Sequence, residues 1–289
     1  MRMPDAFIPS TLLVVVLGLL ASLGWGVADF GGGLTSRSAP VLGVLLGSQL
    51  ASLLVGLPIL ALLDEPAMRT IDVLVGMAGG LLGASGLFLL YRGLSVGRMG
   101  VVAPIAAVLT ATLPVVVGFV TQGLPSMAAV IGIGAAIVSV VLVSRAPDTG
   151  DGRPSGIAYG VAAGTIFGLF TVSASFLADD LILSPTLLIR VTSVTLITLW
   201  ILLRRSPWRV PRRLWPALVF IGVVDMAATA SYIAAVDVGP LAIAAILASL
   251  YPVITAILAA IILRERVTPI HAAGIAAAGV AVVLITSAG

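Results

Sequence analysis

The stretch Leu247–Leu284 reads LASLYPVITAILAAIILRERVTPIHAAGIAAAGVAVVL, two apolar runs broken by one charged turn at Arg264-Glu265-Arg266. A helix crossing the hydrocarbon core of a bilayer needs about 20 apolar residues. Working outward, ten runs of this kind are found: Thr11–Gly33, Val41–Leu63, Val73–Tyr91, Val101–Val120, Met127–Val143, Gly156–Leu177, Pro185–Leu203, Pro216–Ala235, Pro240–Leu263 and Pro269–Ile285. No segment alternates polar and apolar residues as a membrane strand would. The expectation is an all-α integral membrane protein with ten transmembrane helices.

Composition agrees. Of 289 residues, 60% are hydrophobic and only 9% charged, and the mean hydropathy is +1.23. A soluble domain carries roughly 25% charged residues, so lipid must solvate most of this surface. The 32 glycines suit closely packed membrane helices. The net charge of +3 does not signal nucleic acid, because the arginines punctuate apolar runs instead of forming a stripe interleaved with aromatics. Every basic residue is Arg, which with the Ala/Gly richness points to a GC-rich bacterial genome. The absence of Cys excludes disulfides and thiol chemistry, and a single His excludes a His metal cluster. The first apolar run, after Arg2, lacks a small-x-small cleavage site and reads as a retained span.

The chain repeats itself. Trp25-Gly26 corresponds to Phe167-Gly168, Tyr91 to Tyr232, Leu113-Pro114-Val115 to Tyr251-Pro252-Val253, and Gly132 to Gly274. The offset stays near 140. This divides the chain into a first five-helix unit (1–144), a connecting loop (145–155) and a second five-helix unit (156–289). Five is odd, so the second unit enters from the opposite face and the repeats are inverted, as in secondary transporters. Twelve arginines fall on the turns after odd-numbered runs, and Arg2 and Arg69 fall on the other face. The bias places the arginine-rich turns in the cytoplasm and both termini outside.

Two five-helix halves resemble the drug/metabolite transporter superfamily, specifically its EamA-type ten-helix exporters, over nearly the whole chain. Trp25-Gly26 with Asp29-Phe30 is similar to the family's WG-x-x-x-F segment. Arg190 in LLIRVTSVTL is similar to the Arg that opens an even-numbered family helix. The stretch quoted first, with Pro252, the Arg264-Glu265 turn and Gly274, is similar to the closing segment. Departures are Gln122-Gly123 in place of the Arg-Glu pair in the first half, Gln49 near the position matching Arg190, and the acidic Asp29. The family is usually drawn with cytoplasmic termini, the reverse of the arginine bias.

Charge inside a span is costly, about 2.5–3.5 kcal/mol on insertion scales, and only Asp29, Arg190 and Asp225 fall within spans. Asp29 reads either as an interfacial carboxylate or as a cavity acid for a cation or proton, with Trp25 one turn earlier on the same face. Asp225, near mid-span, is the first candidate for proton coupling and Asp29 the second. Asp225 also reads as an ion-pair partner of Arg190, and Arg190 as a ligand for a carboxylate or phosphate. Gln49 reads as interhelical glue or cavity lining, Tyr232 as cavity lining, Tyr91 as a residue of the interfacial belt, and His271 as solvated surface. Pro114 and Pro252 read as a repeat-related pair of gating bends or as static kinks.

No catalytic motif, metal-ligand spacing or nucleotide loop is present, so neither enzyme activity nor a cofactor is expected. The expected function is secondary transport. A small metabolite such as an amino acid, or an amphipathic drug-like compound, would be exported across the cell (inner) membrane by alternating access. The alternative is an intramembrane enzyme acting on lipid-linked intermediates. Expected partners are a small-molecule substrate, membrane lipids and protons, with no nucleic acid and with a homodimer left open.

Overall fold

A computed structural model of the chain describes residues 10–122, 127–145, 154–174, 176–178, 180–238, 244, 247–264 and 268–286. Among these residues there is no strand. Ten α-helices follow in order: α1 (Ser10–Thr35), α2 (Val41–Leu60), α3 (Thr70–Val96), α4 (Met99–Gln122), α5 (Met127–Arg145), α6 (Ile157–Ala174), α7 (Leu183–Arg204), α8 (Trp215–Val238), α9 (Tyr251–Ile262) and α10 (Pro269–Thr286). A short 3-10 turn, Arg212–Leu214, leads into α8. Among the described residues five helical segments are long and apolar enough to cross a membrane: Leu13–Thr35, Val41–Leu60, Thr70–Val96, Leu183–Arg204 and Arg212–Val238. At 1.5 Å per residue, a 27-residue helix such as α3 spans about 40 Å.

Nine of the ten apolar runs coincide with a helix to within five residues at either end, whereas α9 begins at Tyr251, eleven residues into the run that starts at Pro240. Some of the smaller differences have local causes. α2 stops at Leu60 and not at Leu63, just after Pro58, and Leu62 beyond it is 86% exposed. α3 starts three residues earlier than its apolar run. Asp72 in its first turn accepts the Arg69 backbone N–H at 2.8 Å and so supplies a cap for the free helix start. α7 ends where Arg205 takes a left-handed conformation, φ 48°, and the Ser206 N–H folds back onto the Ile201 carbonyl.

The surface and the interior are inverted relative to a water-soluble protein. Leu54, Leu202 and Leu203 point outward, while Gln49, Ser52, Thr186, Arg190, Ser193 and Thr229 are buried. Such an outer surface requires an apolar solvent.

Hydroxyl groups join the helices across the two halves of the chain. Ser52 Oγ donates to the Gly222 carbonyl at 2.6 Å and Ser193 Oγ to the Gly80 carbonyl at 3.0 Å. Thr255 Oγ1 donates to the Gly26 carbonyl, Thr110 Oγ1 to the Gly164 carbonyl and Ser139 Oγ to the Gly274 carbonyl. The pairs are therefore α2 with α8, α7 with α3, α9 with α1, α4 with α6 and α5 with α10. In every case glycine lets the backbones approach closely enough for a short side chain to reach a neighbouring carbonyl. A Cβ at Gly222 would collide with the Ser48 carbonyl, and one at Gly80 would lie 2.8 Å from the Ile189 carbonyl.

Gly222→Val and Gly80→Val are each expected to lower stability by about 1–3 kcal/mol or more, because a backbone carbonyl cannot yield as a side chain can. Gly279→Ala, whose Cβ meets nothing within 4 Å, should be close to neutral. Thermal unfolding of the purified variants checks this. Equal midpoints for all three would refute the close-approach account.

Candidate functional site

Asp29, Arg190 and Asp225 meet with four aromatic residues in one cavity. Trp25 and Asp29 of α1, Arg190 of α7, and Asp225 and Thr229 of α8 line it. So do Gly83 and Leu87 of α3, Thr110 of α4, Phe167, Phe170 and Thr171 of α6, Ile189 of α7 and Tyr251 of α9. They surround about 560 Å³ of atom-free space, part of it open to solvent.

Eight of these residues fall into four pairs separated by 142 positions: Trp25 with Phe167, Asp29 with Thr171, Gly83 with Asp225, and Leu87 with Thr229. Within each pair the chemistry differs, and each carboxylate is matched by an uncharged residue 142 positions away.

Arg190 and Asp225 form a buried ion pair, Nη2 to Oδ2 at 3.0 Å. The same Nη2 donates to Thr229 Oγ1 at 2.7 Å and lies 3.3 Å from the Asp225 carbonyl. Thr229 Oγ1 donates to the Asp225 carbonyl one turn earlier at 2.9 Å, and the Trp25 indole Nε1–H donates to Thr229 Oγ1 at 3.3 Å. Thr229 therefore ties α1, α7 and α8 together at the cavity wall. Its position four residues after Asp225 was readable in the sequence, yet a lone Thr in a span defaults to bonding its own preceding turn. What marks it is the Arg brought to it by α7.

Asp29 is 5% exposed. Its carboxylate makes no hydrogen bond or ion pair with another described residue. Burial excludes the interfacial reading, because this side chain faces the interior and not the bilayer boundary. Of the two acids, it is Asp225 that holds a counter-ion.

Three expectations change. Tyr232 does not line the cavity: it is buried behind Trp25, ring centroids 5.4 Å apart, and its hydroxyl has no partner among the described residues. Gln49 is likewise buried away from the cavity, with Oε1 unpartnered. Tyr91 is no belt residue. It is 1% exposed and its hydroxyl donates to the Ala28 carbonyl at 3.4 Å, because the glycines at the end of α1, Gly32 above all, leave room for its ring. Pro114 lies within α4 and Pro252 in the first turn of α9, where a missing N–H breaks no helical bond. Residues 247–248 are helical and 249–250 form a turn, so Pro252 follows a break between two helical stretches. The side chains of both prolines and of His271 lie outside the described residues.

A second polar cluster closes one end of the bundle. Glu65, between α2 and α3, accepts the backbone N–H groups of Ile182, Leu183 and Ser184 at 3.3, 2.6 and 2.8 Å. Asp72 accepts the Ala178 N–H at 3.0 Å and also pairs with Arg69. Asp237, at the end of α8, accepts the N–H of Asp180, which is held at φ 63°. The connection from α6 to α7 is thus pinned by carboxylates from α3, α8 and the α2–α3 turn. A carboxylate over the N-terminus of α7 is well placed for the helix dipole.

Partial burial of Glu65 opposes ionisation, but the hydrogen bonds from Ser184, Leu183 and Ile182 outweigh it and hold its pKa below the ordinary glutamate value. A depressed acid stabilises the fold fully above its unfolded pKa, about 4.3, and that contribution is lost as pH falls through the folded value. Glu65→Gln is expected to cost about 1 kcal/mol at pH 7, as a lost helix cap does. The variant should also lose part of the stability difference between pH 7 and pH 3. Unfolding curves at the two pH values test this, and an unchanged difference would contradict it.

Comparison with known proteins follows the same lines. Residues 154–287 match the EamA-like transporter family. No curated protein matches the chain. Among solved structures, one described as "Crystal structure of protein" shares the fold at TM-score 0.63 with 18% identity, covering 94% of this chain and 98% of that one. Through its second half, residues 154–287, the chain is a match to the EamA-like transporter family, the family its closing segment resembles.

Proposed function

We propose that the protein is a secondary transporter of the drug/metabolite type, with ten membrane spans arranged as two inverted five-helix repeats around the cavity. It exports a small metabolite or an amphipathic drug-like compound across the cell membrane by alternating access. The observation that carries this reading is the pairing of cavity residues at a constant separation of 142 positions. A site shared by equivalent positions of two repeats can open to either side by equivalent motions.

The helix pairs support it further. Exchanging the halves turns the α1–α9 pair into α6–α4 and the α2–α8 pair into α7–α3. Ser193 follows Ser52 by 141 positions and Gly222 follows Gly80 by 142, so those two hydrogen bonds are themselves repeat-related. Arginine placement supports cytoplasmic turns after the odd-numbered helices and external termini. A reporter fused after Gly289 would then read the outer side, and a cytoplasmic signal would reverse the orientation.

The test of function is uptake by proteoliposomes of labelled amino acids and organic amines, with and without an imposed pH gradient. Saturable uptake above protein-free vesicles is the expected result. None across the panel, from protein shown to be folded, would count against transport.

A further inference from the structure

We infer that the cavity takes a monovalent organic cation, an ammonium head on an apolar body, in preference to a zwitterion or an anion. This rests on the reading of the cavity as a substrate site. Three of its lining residues are charged: Asp29, Arg190 and Asp225.

The Arg190–Asp225 ion pair cancels two of these charges. Arg190 lines the cavity, but its guanidinium is engaged by the protein. Its polar contacts run through Nη2 to Asp225 and Thr229, and its Nε is buried without a partner among the described residues. An incoming carboxylate would have to displace Asp225 and would then lie in a space holding two acids.

Asp29 is left as an uncompensated carboxylate, almost fully buried and facing the cavity, without a hydrogen-bond partner among the described residues. In a low-dielectric site such a group needs a proton or a cation opposite it. An ammonium group supplies both charge and donors. Leu87, Phe167 and Phe170 give the rest of such a ligand an apolar wall, and aromatic faces also favour a cation.

Four probes share one apolar body and differ in charge: 2-phenylethylammonium, phenylalanine, 3-phenylpropanoate and 2-phenylethanol. Calorimetric titration of the purified full chain at pH 7 should give the ammonium probe an affinity at least about tenfold above the other three, as one charge-assisted hydrogen bond would. Asp29→Asn should reduce it to the level of phenylethanol, and Asp29→Glu should restore part of the preference. Phenylalanine or phenylpropanoate binding the wild type as tightly as the ammonium probe would overturn the inference without any variant. So would failure of the ammonium probe to bind at millimolar concentration.

Failure of the transport reading looks different. Binding of the ammonium probe without its exchange across proteoliposomes would refute transport and leave the cation site standing. Exchange of phenylalanine with no binding of the ammonium probe would do the reverse.

Discussion

Arg190→Ala and Asp225→Ala are each expected to cost about 3–5 kcal/mol of folding stability, and the double variant less than the sum. The two side chains are buried, 4% and 10% exposed, and meet at 3.0 Å. Removing one leaves the other charge in the interior without its counter-ion. Removing both leaves no buried charge behind, at the cost of some packing. Thermal unfolding of detergent-purified protein gives the three values. Additive losses would show that the pair is not coupled. If both single variants fold normally and lose only transport, the ion pair is part of the substrate or coupling machinery and not a structural clamp between α7 and α8.

Asp29→Asn is expected to remove pH-gradient-driven accumulation almost completely while the protein stays folded. The substitution keeps the shape of the side chain and leaves no partner stranded, since Asp29 has none among the described residues. Asp225→Asn is a less direct probe, because it strands the Arg190 charge and mixes a stability loss with any loss of coupling. The geometry therefore moves Asp29 ahead of Asp225 as the candidate for a coupling group. Accumulation by Asp29→Asn at the wild-type level would refute a coupling role for this residue. A wild type indifferent to the gradient would point to facilitated transport.

Much of this architecture was readable from residues. Nine of the ten apolar runs matched a helix because apolar helices are set by length and hydropathy, which are local properties, while the run from Pro240 did not, its helix beginning only at Tyr251. The ends shifted by a few residues where side chains decide, at Asp72 before α3 and at Pro58 near the end of α2. The proposed repeat rests on Trp25, Tyr91 and Gly132, and it would set Gln49 in correspondence with Arg190. It did not tell which faces point inward. Of Gln49 and Arg190, only Arg190 lines the cavity. Tyr232 was placed one shell too near, because a buried hydroxyl suggests a polar space and here it sits behind the Trp25 ring. Thr229 and Glu65 were missed for a shared reason. Each gains its role from a helix far away in sequence, Thr229 from Arg190 and Glu65 from the start of α7.

Gly83 offers the most direct test that this cavity is the transport site. It lines the space, lies 142 positions before Asp225, and a Cβ there meets nothing within 4 Å. A Cβ at this position of the cavity wall therefore displaces no neighbouring helix. The measurement is proteoliposome uptake by Gly83→Phe, with its thermal midpoint recorded beside that of the wild type. The account predicts an unfolding midpoint close to wild type and uptake reduced to the level of protein-free vesicles. Uptake at the wild-type rate by a folded Gly83→Phe protein would contradict it.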